Sequence, residues 1–361
     1  MDISDNSEGE RRALKMILSY ASNAVLSKAR AMYGKRLKEK DYLNLMSCDS
    51  VSEIASYLKH RTSYSDILSA INESDIHRGY LEDIIRRKLF YDFAVLGKYD
   101  LSSGEHFFNY IIAKIEIQEI MHIIMLMAAG KTSEYLYSMP VFFGRHTKID
   151  IYAFSSIKNF DDLLEATKKS VYKEVLMPFR PHNINTPVDI SQIEAALYTY
   201  LYDVVFHIID KYTRGKTKAE LNDLFNTYID LNNMVRITRV KKFYSVDDEY
   251  IETIIFPFGT LGIKTLREYI YSKDPKQMMI DMKNSKVGKK WLSKGLDTID
   301  KIPKYMRFIR SLHDIRFSIS PPIVLMSYIF LKEIEILNII NIIEGIRYKL
   351  SSDEIKSMLI Q

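Results

Sequence analysis

Apolar residues recur three and four positions apart along most of this chain. In SEIASYLKH (52–60) they are Ile54, Tyr57 and Leu58; in ALYTYLYDVVFHII (196–209) they are Leu197, Leu201, Val204, Val205 and Ile208. That period gathers side chains on one face of an α-helix. Strong helix formers fill window after window, and no extended alternation bounded by turn dipeptides interrupts them. The chain is expected to be all-α. Prolines punctuate it: Pro140, Pro178, Pro181, Pro187, Pro257, Pro275, Pro303 and the Pro321–Pro322 pair fall between periodic segments. The longest loop-like stretch is MPFRPHNINTPVD, 177–189.

Three of the apolar segments share a pattern. IEIQEIMHII (115–124), IDLNNMVRIT (229–238) and IEILNIINII (334–343) each begin with isoleucine, an acid and an aliphatic residue. The acids Glu116, Asp230 and Glu335 are followed three positions later by Glu119, Asn233 and Asn338, then by His122, Arg236 and Asn341. Steps of three keep a polar stripe on one side of an otherwise apolar helix. The third stripe continues to Gly345. After each stripe come a basic stretch, a Ser/Thr with acids, and a second apolar helix: GKTSEYLYSMP (130–140), FYSVDDEYIETIIFP (243–257) and LSSDEIKSMLI (350–360). Ser351 with Glu354 fits a capping box, and Ser245 with Asp248 is an imperfect one.

This predicts three similar helical repeats after a polar N-terminal tail: 1–12, then 13–140, 141–257 and 258–361. The stripes have two readings. They are either a hydrogen-bonded structural feature used three times, or three polar faces turned toward a shared axis where they contact something. Their unlike chemistry suits an asymmetric protein partner better than a metal.

Charge changes the picture little. The 361 residues carry 51 basic and 46 acidic side chains, a net +5. The nearest basic cluster, Lys283, Lys286, Lys289, Lys290 and Lys294, reads as a solvated loop, so no nucleic-acid partner is expected. The single cysteine, Cys48, excludes an internal disulfide and reads as an inert thiol. The polar start MDISDNSEGERR does not resemble a signal peptide. Neither IIMLMAA (123–129) nor PPIVLMSYIFL (321–331) approaches the ~18 apolar residues a bilayer span needs.

Two phosphate-loop decoys fail on context. Gly130-Lys131-Thr132 and Gly215-Lys216-Thr217 have Met125 and Asp210 where a glycine is required, and both follow helical patterns. No direct nucleotide binding, no catalytic residue, no cofactor and no metal site is expected. His122 reads as a hydrogen-bonded core histidine, and Tyr20, Tyr110, Tyr228 and Tyr328 as core or interface aromatics.

The run YASNAVLSKARAMYGKRLKEKDYLNLMSCDSVSEIASYLKHRTSYSDIL (20–68) resembles the start of the C-subunit family of V-type ATPases and ATP synthases, the family to which the d subunit of the vacuolar ATPase belongs. Tyr20, Ala21, Arg30, Ala31, Met32, Leu37, Ser50, Val51, Tyr57, Leu58, Thr62 and Tyr64 carry that resemblance. IDLNNMVRITRVKK and KEIEILNIINIIEGIRYKLSSDEIKSMLI are similar to the family's middle and end. Ile340 stands where the family often has arginine, and Glu119 where the other repeats have asparagine. The resemblance implies a funnel-like, pseudo-threefold helical body without catalytic activity. It implies a rotor component on the cytoplasmic face of the membrane, peripheral to it, whose socket couples the central-stalk subunits to the membrane proteolipid ring. Ion transport, of H⁺ or Na⁺, or ATP synthesis would depend on that coupling. The alternatives are a helical-repeat scaffold binding another protein or peptide in its concave face, and an α-helical enzyme.

Overall fold

The computed structural model describes residues 23–361 apart from 74–75, 98–103, 138, 141–142, 145, 184–185, 245, 273 and 292–298. The proposed polar tail, 1–12, therefore lies outside the described residues, as do Tyr20, Ser245 and Lys294. Every regular element among the described residues is helical. Three long helices carry the three polar stripes: α1 (Gly104–Ala128), α2 (Gly215–Phe243) and α3 (Pro321–Arg347).

The chain divides into two compact units, each assembled from separated segments. One takes the described part of Met1–Phe108 with Tyr212–Thr217 and Arg307–Gln361; the other takes Asn109–Lys211 and Lys218–Met306. This division by packing cuts the chain differently from the division by sequence repeat.

In the first unit α3 is the central element. Pro322 to Lys332 are buried without a break, and the helix packs on Arg78–Gly97, Glu39–Met46 and Val51–Arg61. A helix apolar on all sides has to be enclosed this way. Ile336, Ile339 and Ile343 join Leu45, Ile54, Leu58, Leu81 and Ile85 in one cluster. Each such side chain contributes roughly 1.5–3 kcal/mol on leaving water. Pro321 and Pro322 sit at the first helical positions of α3, where a missing N–H costs nothing. In the second unit three groups of packed side chains lie on or beside α2, and Leu261 and Tyr269 pack against the first two of them. Ile237, Ile251, Leu266 and Ile270 form one cluster, Leu231, Met234, Met282 and Met306 a second, and Tyr202, Ile229 and Phe256 a third.

Local signals set several boundaries. Ser351 Oγ accepts from Glu354 N while the Glu354 carboxylate accepts from Ser351 N, the reciprocal cap expected there. The Ser50 and Asn159 side chains likewise accept from Glu53 N and Asp162 N at the starts of Val51–Arg61 and Phe160–Ala166. Two expectations need correction. The segment after α1 is a 3₁₀ helix, Thr132–Tyr137, not a second α-helix. The basic stretch around Lys283 is helical, Pro275–Asn284 and Lys286–Trp291, although Lys283, Lys289 and Lys290 are exposed as a solvated stretch should be.

Candidate functional site

The three stripe acids lie deep in their helices. Glu116, Asp230 and Glu335 retain only 7%, 7% and 5% of their exposure. Buried carboxylates need hydrogen-bond donors, and each finds them in this chain. Glu116 Oε1 accepts from Thr147 Oγ1 (2.6 Å) and Lys148 N (3.1 Å), and its Oε2 from the Tyr172 hydroxyl (2.9 Å). Asp230 accepts from Thr260 N (2.9 Å), Thr260 Oγ1 (2.5 Å) and Leu261 N (3.3 Å). Glu335 accepts from Leu37 N (2.7 Å), the Tyr64 hydroxyl (3.0 Å) and the Lys332 ammonium (2.5 Å).

The first two clamps match in detail. Each acid holds a threonine hydroxyl and a backbone N–H thirty to thirty-two residues further on. The third acid reaches Leu37, close to the beginning of the described chain. Arg36 precedes Leu37 where Thr147 precedes Lys148 and Thr260 precedes Leu261, so no threonine hydroxyl is offered from that position. Lys332 takes its place. At Asp230 the approach is tight. A Cβ on Gly259 would lie 2.0 Å from Asp230 Oδ1, and Gly259 has φ +114°, a backbone region that glycine alone enters cheaply.

The second and third stripe positions clamp another segment. Asn233 Nδ2 donates to Phe256 O (2.9 Å) and its Oδ1 accepts from Phe256 N (2.8 Å). Asn338 does the same with Ile360, at 2.9 Å in both directions. Arg236 Nη1 donates to Ile254 O (2.8 Å), and Asn341 Nδ2 to Met358 O (3.2 Å). Arginine and asparagine thus do one job two residues before the amide that the preceding asparagine holds. In both repeats the held segment leaves a short helix, Asp248–Ile254 or Ser352–Met358, in extended conformation at Ile255 or Leu359. Arg236 also pairs with Glu194 and lies over the Phe256 ring at 4.6 Å. In the first stripe Glu119 accepts from the Tyr135 hydroxyl (2.8 Å), and the His122 ring packs 5.6 Å from that tyrosine. Gly345 ends the third stripe because Ser352–Met358 presses there: a Cβ would meet Ile355 Cγ1 at 2.4 Å.

Burial shifts several of these groups. It pushes the Asp230 carboxyl above its ordinary value, against the lowering effect of Thr260 and Leu261. Burial, reinforced by Glu335 and Glu116 respectively, holds the Tyr64 and Tyr172 hydroxyls protonated as donors. The Cys48 thiol is likewise pushed up by burial and by Glu53 and Asp49. A second network in the same unit as Glu335 runs from the core to the surface: the buried Tyr328 hydroxyl donates to buried Asp92 (2.5 Å), and Lys88 bridges Asp92 (3.0 Å) to the exposed Asp66 (2.5 Å).

Sequence reading alone did not find the donors Thr147, Tyr172, Thr260 and Tyr64, or the cation Lys332. A shared offset of about thirty residues from each of the first two acids to a Thr-X pair was the usable signal. At the phosphate-loop decoys, Gly130 follows the end of α1, and Gly215 opens α2 directly after the helix Ile190–Tyr212. No group of three His, Cys, Asp or Glu placed to hold a metal occurs among the described residues, and no helix among them is long and apolar enough to cross a membrane.

The fold and its site define an all-α protein whose helix stripes turn onto its own backbone. Residues 25–358 match the ATP synthase (C/AC39) subunit family, and the chain belongs to that family. It is 21% identical over 262 residues to the C subunit of the A-type ATP synthase of Methanosphaera stadtmanae, an alignment covering 73% of this chain and 65%, just under two thirds, of that relative.

Proposed function

We propose that this chain is a non-catalytic rotor subunit of a V/A-type ATPase or ATP synthase, a socket that couples the central stalk to the membrane proteolipid ring. It would lie peripheral to the membrane, on its cytoplasmic face, held through protein contacts. The observation that carries this reading is the family match across residues 25–358. The clamps add a physical reason. A part that transmits torque has to resist shear between its helical segments. Buried, fully partnered polar groups fix one relative placement, whereas apolar contacts alone tolerate sliding. The recurrence of the clamp on α1, α2 and α3 supports a body of three similar units. In that body the candidate stripe, Glu116, Glu119, His122, Asp230, Asn233, Arg236, Glu335, Asn338 and Asn341, supports the socket from within.

Affinity purification of the tagged chain from native membranes tests the proposal. The nucleotide-hydrolysing head, the stalk and the proteolipid ring should copurify in fixed ratio. A chain that purifies without the ring and stalk, but with an unrelated protein, would favour the scaffold alternative.

A further inference from the structure

Beside the Glu335 clamp, wholly within the first unit, lies a cavity of about 410 Å³. That volume suits a bulky side chain or a small ligand. Tyr33, Tyr42, Phe308 and Leu331 contribute apolar and aromatic wall, and the Lys332–Glu335 ion pair lies along it. Arg36, Lys38 and Glu39 also line it; Lys38 and Glu39 are exposed and Arg36 half-buried, so two cations and one carboxylate stand at the mouth.

The chain segment that supplies Arg36 and Lys38 is basic. Residues 28–40 contain Lys28, Arg30, Lys35, Arg36, Lys38 and Lys40 against the single acid Glu39. Six minus one is +5, the net charge of the whole protein. The stretch 283–294, with five lysines and no acid, carries the same excess. Arg30 is committed internally, to Ile315 O (2.8 Å) and Ser318 O (2.6 Å). Arg36 lies 4.3 Å from the Tyr33 ring centroid. At the equivalent place in the other two clamps a threonine faces the carboxylate; here an arginine lines a cavity.

We propose that this cavity seats an apolar or aromatic side chain from an acidic segment of a partner protein, with the flanking carboxylates of that segment meeting Arg36 and Lys38. An inorganic anion would use the cations and leave the aromatic wall uncovered. A two-chain lipid is larger than the cavity. An acidic segment with one apolar anchor uses both features, and electrostatic complementarity would speed its docking. The inference stands apart from the rotor reading, because it names the chemistry of a binding segment and not the complex that supplies it.

The purified full chain can be titrated by fluorescence anisotropy with a dye-labelled, glutamate-rich helical peptide carrying one central tryptophan. The expected result is saturable, salt-sensitive binding. Replacing the tryptophan by alanine, or the glutamates by glutamines, should weaken it about tenfold or more, as should the double variant Arg36→Glu/Lys38→Glu in the protein. Leu331→Phe, which narrows the cavity, should weaken it too; if that variant fails to fold, Tyr33→Ala removes wall from a half-buried position instead. Absence of binding, equal affinity for the glutamine peptide, or binding untouched by the charge reversal would overturn the proposal. So would association with anionic phospholipid vesicles that the charge reversal abolishes while the peptide does not compete.

Discussion

Asp230 and Glu335 occupy matching places on α2 and α3, similarly buried, yet they are satisfied differently. Asp230 is met by neutral dipoles only, the Thr260 and Leu261 amides and the Thr260 hydroxyl. Glu335 is met by one amide, one phenol and the ammonium of Lys332, itself 4% exposed. The neutral clamp leaves a charge whose burial is incompletely offset, and the carboxyl titrates above its ordinary range. The ion-paired clamp removes two groups from water and depends on both remaining together. One repeated piece of sequence thus yields two kinds of joint, a dipolar one that tolerates protonation and an ionic one that does not tolerate loss of a partner.

The largest expected effect follows from that asymmetry. Lys332→Met leaves Glu335 buried without its cation and should cost about 3–5 kcal/mol, read as a lower urea midpoint. Adding Arg36→Thr supplies the hydroxyl that the other clamps use and should restore about 1 kcal/mol. A double variant no more stable than the single one would show that the joints are not interchangeable. Next is Gly259→Ala, which combines a positive φ with a Cβ driven onto the Asp230 carboxylate; a loss of about 2–3 kcal/mol is expected, and none at all would mean that this loop readjusts freely.

These joints show how much the chain declares in advance. Helix class was legible because apolar period and helix-forming composition agree over most of the length. The stripes were legible as polar residues at steps of three on apolar helices. Their use was not, because the donors lie about thirty residues away along the chain, or nearly three hundred for Glu335 and Leu37, and period carries no information across such distances. The unlike third positions, Arg236 and Asn341, looked like chemistry meant for an asymmetric partner. Both reach a backbone carbonyl of their own unit, which residue type alone does not reveal. The basic stretch at 28–40 was open to counting, and the cavity beside it was not.

A smaller effect is expected for Thr260→Val. It deletes the hydroxyl bond to Asp230 but keeps both amides, and should cost about 1–2 kcal/mol by denaturant titration. Smallest is the pH dependence of the neutral clamp. Because the folded Asp230 carboxyl titrates above its ordinary value of 3.8, its contribution favours folding most below that value and is lost as pH rises through the raised one. The stability difference between the native chain and Asp230→Asn should therefore shrink from acid toward neutral pH. A difference that grows over that window would mean that the Thr260 and Leu261 donors outweigh burial.

The most direct test makes two shape-preserving replacements, Asp230→Asn and Glu335→Gln, and measures thermal stability and stalk binding together. An amide cannot accept from every donor that a carboxylate satisfies, so each variant should lower Tm by several degrees. The folded fraction should bind the stalk subunits with unchanged affinity, because these side chains face their own backbone. Weakened stalk binding at unchanged Tm would contradict this and make the stripes the contact surface itself.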